Sequence, residues 1–226
     1  MGIFRGPNIV TDGLVFAVDP GSTRSYPGSG TTTTNIINGA SGTLTNGVAY
    51  VTNNGGAFDF DGTDDYIAFP DDTNLNNQTL TMESWVKLDS TLYQDAFIFE
   101  KGQVNTQYSN FVATNGYLYF RTIGLSTNDK ALNLTSYTSA GLWTHITCTY
   151  GAGIKYIYIN GVLRATQTGL TGTISTNTTG LFLGAYGPGS SYFMDGKIAV
   201  SRVYNKALTQ AEVTQNFNAQ KSRFGL

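Results

Sequence analysis

Six aspartates fall within one short stretch: Asp59, Asp61, Asp64, Asp65, Asp71 and Asp72. Carboxylates and backbone carbonyls are the ligands calcium takes, so the stretch is a candidate for a divalent ion. Asp61, Asp65 and Asp195 are the expected metal ligands, and calcium is the one cofactor the sequence suggests. The run is not an EF-hand loop, because Gly62 comes too early and no glutamate closes it. The plainer reading is that aspartate is favoured in turns, where its side chain bonds nearby backbone. Glycosidic hydrolysis requires two carboxyl groups at a separation matched to the mechanism. The three glutamates, Glu83, Glu100 and Glu212, are far apart in sequence, which leaves only aspartate pairs such as Asp61 with Asp64 or Asp65. A serine or cysteine hydrolase needs a base, usually histidine. The single His145 alternates away from Ile146, Cys148 and Tyr150, beside Trp143. The single Cys148 excludes an internal disulfide and, in an apolar run, reads as a small buried hydrophobe. No P-loop, zinc cluster or dinucleotide fingerprint is present, and the glycines of 184–189 lack a strand–loop–helix setting.

Aromatic residues offer a second chemistry. Tyr186, Tyr192 and Phe193 lie in and just beyond a Gly/Ser-rich loop, residues 184–191, and are the expected carbohydrate-binding residues, since exposed loop aromatics mark binding surfaces. The plainer alternative is that they fold back on the core or pack on a neighbouring subunit. Only 12% of residues are charged, so the polar surface comes from Thr, Asn, Ser, Gly and Gln, which suits neutral polar partners such as sugars. A net charge of −2 and a pI near 5.2 provide no basic stripe for nucleic acid. No apolar run is long enough to span a bilayer, and the first seven residues lack the apolar stretch of a signal peptide. Gly2 fails the myristoylation pattern because position 6 is glycine. Glycosylation sequons at Asn77, Asn133 and Asn177 read as chance matches.

The elements that must carry these residues follow a period of two. In residues 79–88, Leu80, Met82, Val86 and Leu88 share one face while Thr79, Thr81, Glu83, Trp85 and Lys87 share the other, the pattern of a half-buried strand. Asn115-Gly116 separates strands at 108–114 and 117–123, and Asn160-Gly161 separates strands at 155–159 and 162–166. That dipeptide tolerates positive φ at two successive positions, as a tight hairpin turn requires. Further strands are expected at 14–19, 57–60, 66–69, 96–100, 143–150, 180–185 and 197–204. Many short antiparallel strands with close turn signals predict an all-β, two-sheet jelly-roll sandwich. One short C-terminal helix is predicted from the capping-box spacing of Thr209 and Glu212, with Leu208 and Val213 as the hydrophobic staple. Residues 1–11 read as an N-terminal arm, 12–220 as the domain and 221–226 as a C-terminal tail. Residues 20–47, rich in Gly, Ser, Thr and Asn, read as a long loop.

Five motifs in order carry a resemblance. Residues 58–67 (FDFDGTDDYI), 81–86 (TMESWV), 143–150 (WTHITCTY), 156–161 (YIYING) and 196–209, with GKI and RVYNKALT, resemble the hallmarks of laminin G-like, concanavalin A-like jelly rolls. The resemblance implies a sandwich that often holds calcium on its rim, in a superfold that includes glucanases. The E-x-D-x-(x)-E pattern of those enzymes is absent. Ala199 and Val200 replace an acidic pair that members often carry, which removes any ion site built on it.

The start at 12–30 and the ending at 218–226 are similar to copies of this domain in virion proteins of tailed phages of marine and cyanobacterial hosts. The expected function is therefore a non-catalytic virion surface protein, decorating the capsid or attached to tail or fibre, assembled in the bacterial cytoplasm. Its terminal segments would dock on other virion proteins, with homo-oligomers compatible. A host-glycan-binding adhesin module is the second reading, and a glycoside hydrolase the third.

Overall fold

The computed structural model describes residues 7–89, 95–103, 106–187 and 191–226. Two antiparallel eight-stranded sheets face each other. The first runs, edge to edge, Val162–Gln167 (β14), Ile154–Ile159 (β13), Thr144–Gly151 (β12), Leu80–Leu88 (β7), Asp195–Tyr204 (β16), Ala57–Asp61 (β5) and Ala49–Val51 (β4), with Leu14–Val18 (β1) also pairing β16. The second runs Asp129–Asn133 (β11), Tyr117–Thr122 (β10), Tyr108–Val112 (β9), Ala96–Lys101 (β8), Leu181–Leu183 (β15), Tyr66–Phe69 (β6), Ser41–Thr45 (β3) and Thr32–Thr34 (β2). Between them lies one apolar core that includes Phe16, Phe58, Phe60, Ile98, Phe99, Phe120, Ile146 and Cys148. Burial pushes the Cys148 thiol up to about 12, so it stays a neutral packing group.

Several elements differ from their sequence reading. Strand β7 is buried on both faces rather than half-buried, because its outer side is covered. The cover is the helix Gln210–Gln220 (α1) and the following 3-10 turn Lys221–Phe224. The helix is capped as the sequence requires: Thr209 Oγ1 accepts from Glu212 N–H, and Thr209 N–H donates to Glu212 Oε2 at 2.8 Å. Such a cap is worth about 1 kcal/mol. Phe224 stacks on Trp85 with centroids 4.1 Å apart, so residues 221–224 belong to the domain and are not a free tail. The N-terminal boundary shifts for the same reason. Val10 N–H donates to Asn216 Oδ1 at 2.7 Å, and its carbonyl accepts from Tyr204 Oη. Residues 1–6 of the expected arm lie outside the described residues.

The two hairpins also differ. Asn160 and Gly161 both take positive φ (51° and 76°), the tight turn read from the sequence. At 113–117 only Gly116 does (78°), and Gly116 N–H donates to Ala113 O, so the loop is a turn closed by a left-handed glycine. The expected long loop at 20–47 contains β2 and β3, which form one edge of the second sheet.

Candidate functional site

On the outer face of the second sheet, β8, β9 and β10 place Phe97, Phe111 and Tyr119 in register across three neighbouring strands. Their rings stack in a row, Phe97 to Phe111 at 4.5 Å and Phe111 to Tyr119 at 5.1 Å, nearly parallel in both cases. A bulge between Phe97 and Phe99 makes this register. It turns Phe97 outward while Ile98 and Phe99 both enter the core. From the loop after β15, Tyr186 lies 4.6 Å from Phe97 and Tyr192 lies 5.7 Å from Tyr186. Phe97 and Phe111 are themselves buried, so the surface presented is the edges and hydroxyls of tyrosines, with Tyr192 42% exposed. Tyr117 adds a further exposed ring on the same side of β10.

Tyr192 holds φ at 58°, a left-handed conformation uncommon for a bulky side chain. Strain of this kind persists where the surroundings fix it and clusters at binding sites. Polar groups border the row. Arg121 donates through Nε and Nη2 to both oxygens of Asp129, each at 2.8 Å, and its guanidinium lies 4.9 Å above the Phe111 ring. Burial, then the nearby Glu100 carboxylate, raises the Tyr186 pKa, so its hydroxyl remains a donor at neutral pH. Of the three aromatic residues expected from the sequence, Tyr186 and Tyr192 join this surface. Phe193 is 9% exposed and offers little area to a ligand. Residues 188–190 of the same loop lie outside the described residues.

The acidic stretch forms a second candidate, on the turn between β5 and β6. Asp61, Asp64 and Asp65 each bring a carboxylate oxygen within 4.8 Å of the others. Asp61 N–H donates to Asp65 Oδ2 at 3.1 Å, and Thr63 N–H to Asp61 Oδ1 at 2.8 Å. Gly62 is required here: its φ is 74°, and a Cβ would sit 2.9 Å from the Asp195 Cβ. Asp61 and Asp64 are exposed, whereas Asp65 is 3% exposed and its Oδ1 has no hydrogen-bond partner. Burial first, and then the charges of Asp61, Asp64 and Asp59, raise the Asp65 pKa against a backbone hydrogen bond that lowers it. A bound cation would relieve that cost. Asp195 stands opposite Asp61 in the ladder, and the carboxylates that converge within this turn are Asp61, Asp64 and Asp65. The remaining aspartates are otherwise engaged: Asp59 with Lys197 at 2.9 Å, Asp71 with Lys101 at 2.9 Å, and Asp72 capping the turn at Asn74.

The three glutamates are dispersed, and the histidine lies beside one of them. Glu83 and His145 are fully buried under α1, Glu100 lies in β8, and Glu212 caps the helix. His145 packs against Trp85 and Phe217, with Nε2 3.5 Å from Glu83 Oε1. Ala199 and Val200 pack with Trp85 and Phe224, so the positions of the acidic pair are filled by apolar contacts.

Residues 61–214, more than half of the chain, match the family model described as the concanavalin A-like lectin/glucanases superfamily. The chain belongs to this superfamily. Solved structures with the same fold include the binding domain of botulinum neurotoxin serotype D, with TM-score 0.71 and 14% identity over 92% of this chain and 52% of that one. Trypanosoma rangeli sialidase in complex with sialic acid gives TM-score 0.73 and 15% identity over 96% of this chain and 35% of that one. The chain thus spans about half the length of the toxin domain and about a third of the sialidase. At these identities the likeness is one of fold, shared within the superfamily by binding domains and enzymes. No curated protein matches the chain in sequence.

Proposed function

We propose that the tyrosine-edged face of the second sheet is a non-catalytic carbohydrate-binding surface. The observation that carries this reading is the stacked row Tyr119–Phe111–Phe97, extended by Tyr186 and the strained, exposed Tyr192. Tyrosines braced by stacking present their edges with little entropy to lose, and their hydroxyls supply hydrogen bonds. Arg121 is already paired with Asp129, and Glu100 stands nearby, so the face favours neutral, hydroxyl-rich glycans over anionic ones. A glycan array should show retention of neutral oligosaccharides that Tyr192→Ala and Tyr119→Ala each weaken. Absence of binding to every glycan, with and without calcium, overturns the proposal.

Calcium at Asp61, Asp64 and Asp65 is a second reading, supported by the buried, unbonded Asp65 Oδ1. Three carboxylates fit part of calcium's coordination of 6–8 oxygens, with carbonyls and water supplying the remainder. The ion would neutralise the turn and hold β5 to β6. Calcium should raise the melting temperature of the wild type relative to chelator and leave Asp65→Asn unchanged. Equal melting of the wild type with and without calcium removes the reading.

The setting we infer is the virion surface of a tailed phage, supported by the resemblance of the two chain ends and the sparsely charged surface. Docking through the ends would fall to residues 1–6, because Asn8, Val10 and residues 221–224 are held by the domain itself. Cryo-electron microscopy of the particle tests the setting. Density at regular capsid positions or on tail fibres supports it, and absence of the chain from purified particles rejects it.

A further inference from the structure

Away from both candidate sites, the end of β8 carries a reactive-looking trio. Lys101 is fully buried. Its Nζ donates to Thr179 O at 2.5 Å, to Asp71 Oδ1 at 2.9 Å and to Asn177 Oδ1 at 3.3 Å. The Asn177 carboxamide is gripped at both ends. Oδ1 also accepts from Thr179 N–H at 2.8 Å, while Nδ2 donates to Gln107 Oε1 at 3.0 Å and faces Thr106 Oγ1 at 3.3 Å. Gly102 makes room for this amide, since a Cβ there would stand 2.5 Å from Asn177 Nδ2. An ion pair between Lys101 and Asp71 accounts for the charges. Beside it stands a carboxamide whose oxygen has two donors and whose nitrogen has two acceptors, with a fully buried amine hydrogen-bonded to that oxygen.

We propose that Lys101 and Asn177 join as an intramolecular amide, with Asp71 carrying the proton. Asp71 takes a proton from Lys101 Nζ, and the freed lone pair attacks Asn177 Cγ. Negative charge developing on Oδ1 is met by Thr179 N–H, a donor already in place. As the tetrahedral centre collapses, the Cγ–Nδ2 bond breaks and Nδ2 takes the proton from Asp71 to become ammonia; the Asp71 carboxylate then relays the second proton from Nζ to the ammonia, which departs as ammonium. The Nζ–Cγ bond forms, the carboxylate is regenerated, and no oxidant or reductant takes part. Holding amine and carbonyl together makes the step unimolecular, which lowers its barrier.

The bond would tie the end of β8 to the segment entering β15 across 76 positions of sequence. Closing a long loop restricts the unfolded chain as a disulfide does, in a protein whose lone cysteine permits none.

Intact-mass measurement of the full chain under denaturing conditions tests the proposal. The wild type should be lighter than its sequence by one ammonia, and tryptic mapping should find the Lys101 and Asn177 peptides joined. Asp71→Asn and Lys101→Arg, shown to be folded by circular dichroism, should have the full sequence mass. A wild type of full mass with the two peptides separate overturns the proposal. So does a loss of ammonia confined to the single peptide containing Asn177, the mark of a cyclic imide.

Discussion

On the outer face of the first sheet, Trp85 is sealed between the sheet and the chain's own C-terminus, with Phe224 stacked at 4.1 Å and Phe217 at 5.7 Å. On the outer face of the second sheet, an aromatic row of similar extent receives no helix among the described residues, and tyrosines form its surface. The polar groups follow the same division. Beneath α1, Glu83 bonds to Arg202 at 2.5 Å and to Asn216 at 2.6 Å, all buried. On the other face, Arg121 and Asp129 form a similar pair in partial contact with water. Aromatic and charged residues therefore lie under the chain's own C-terminus on one face and in partial contact with water on the other. What distinguishes the faces is whether the chain supplies its own cover.

That contrast can be broken most sharply at Arg202. Arg202→Met leaves Glu83 charged and buried, and should cost about 3–5 kcal/mol in urea unfolding. A loss below about 1 kcal/mol would mean that the network adds nothing to the covered face. Phe224→Ala uncovers Trp85 and should cost roughly 3 kcal/mol while glycan binding on the far face stays intact. If binding falls with it, the two faces are coupled and the contrast fails.

The covered face should also respond to acid. Burial alone would raise the Glu83 pKa, but Arg202, His145 and Asn216 together outweigh it and bring it to about 2. A depressed carboxyl contributes stability above its unfolded value of about 4.3, and that contribution is lost as pH falls toward the folded value. Melting temperatures of the wild type and Glu83→Gln should converge between neutral pH and pH about 2–3. Parallel curves would show that Glu83 does not drive the acid response. The smallest effect belongs to the open face. Tyr192→Ala should change stability by no more than about 0.5 kcal/mol and weaken glycan binding by about 1 kcal/mol, roughly five-fold.

Much of the scaffold was legible because its signals are local. Thr209 and Glu212 marked the helix, Asn160-Gly161 marked a hairpin, and alternation along β7 separated Met82 from Glu83. The cover over Trp85 was not legible, since it depends on a turn at residues 221–224 that has no periodic pattern. Strands β2 and β3 were hidden by Thr, Ser and Gly, whose pairing shows only through partners such as Phe69, whose ring would stand 2.3 Å from a Cβ at Gly42. Tyr186 and Tyr192 could be read from loop composition. Tyr119 and Phe111 carried a usable signal in the alternation of β10 and β9. Phe97 did not, because the bulge at 97–99 breaks the alternation that would have assigned its face. The convergence of Asp64 with Asp61 and Asp65 was hidden, because it depends on the shape of the turn at Gly62 and not on spacing alone.

The first described residues and the last ones meet on the same side of the molecule, where Gln215 Nε2 donates to Asn8 O at 2.7 Å and Phe224 lies on Trp85. Whatever is joined to either end must therefore pull from behind the first sheet. A tether attached there acts like a stalk behind a dish: it turns the tyrosine face away from its anchor, and force on either end is borne by α1 and the residues around it before it reaches the opposite sheet.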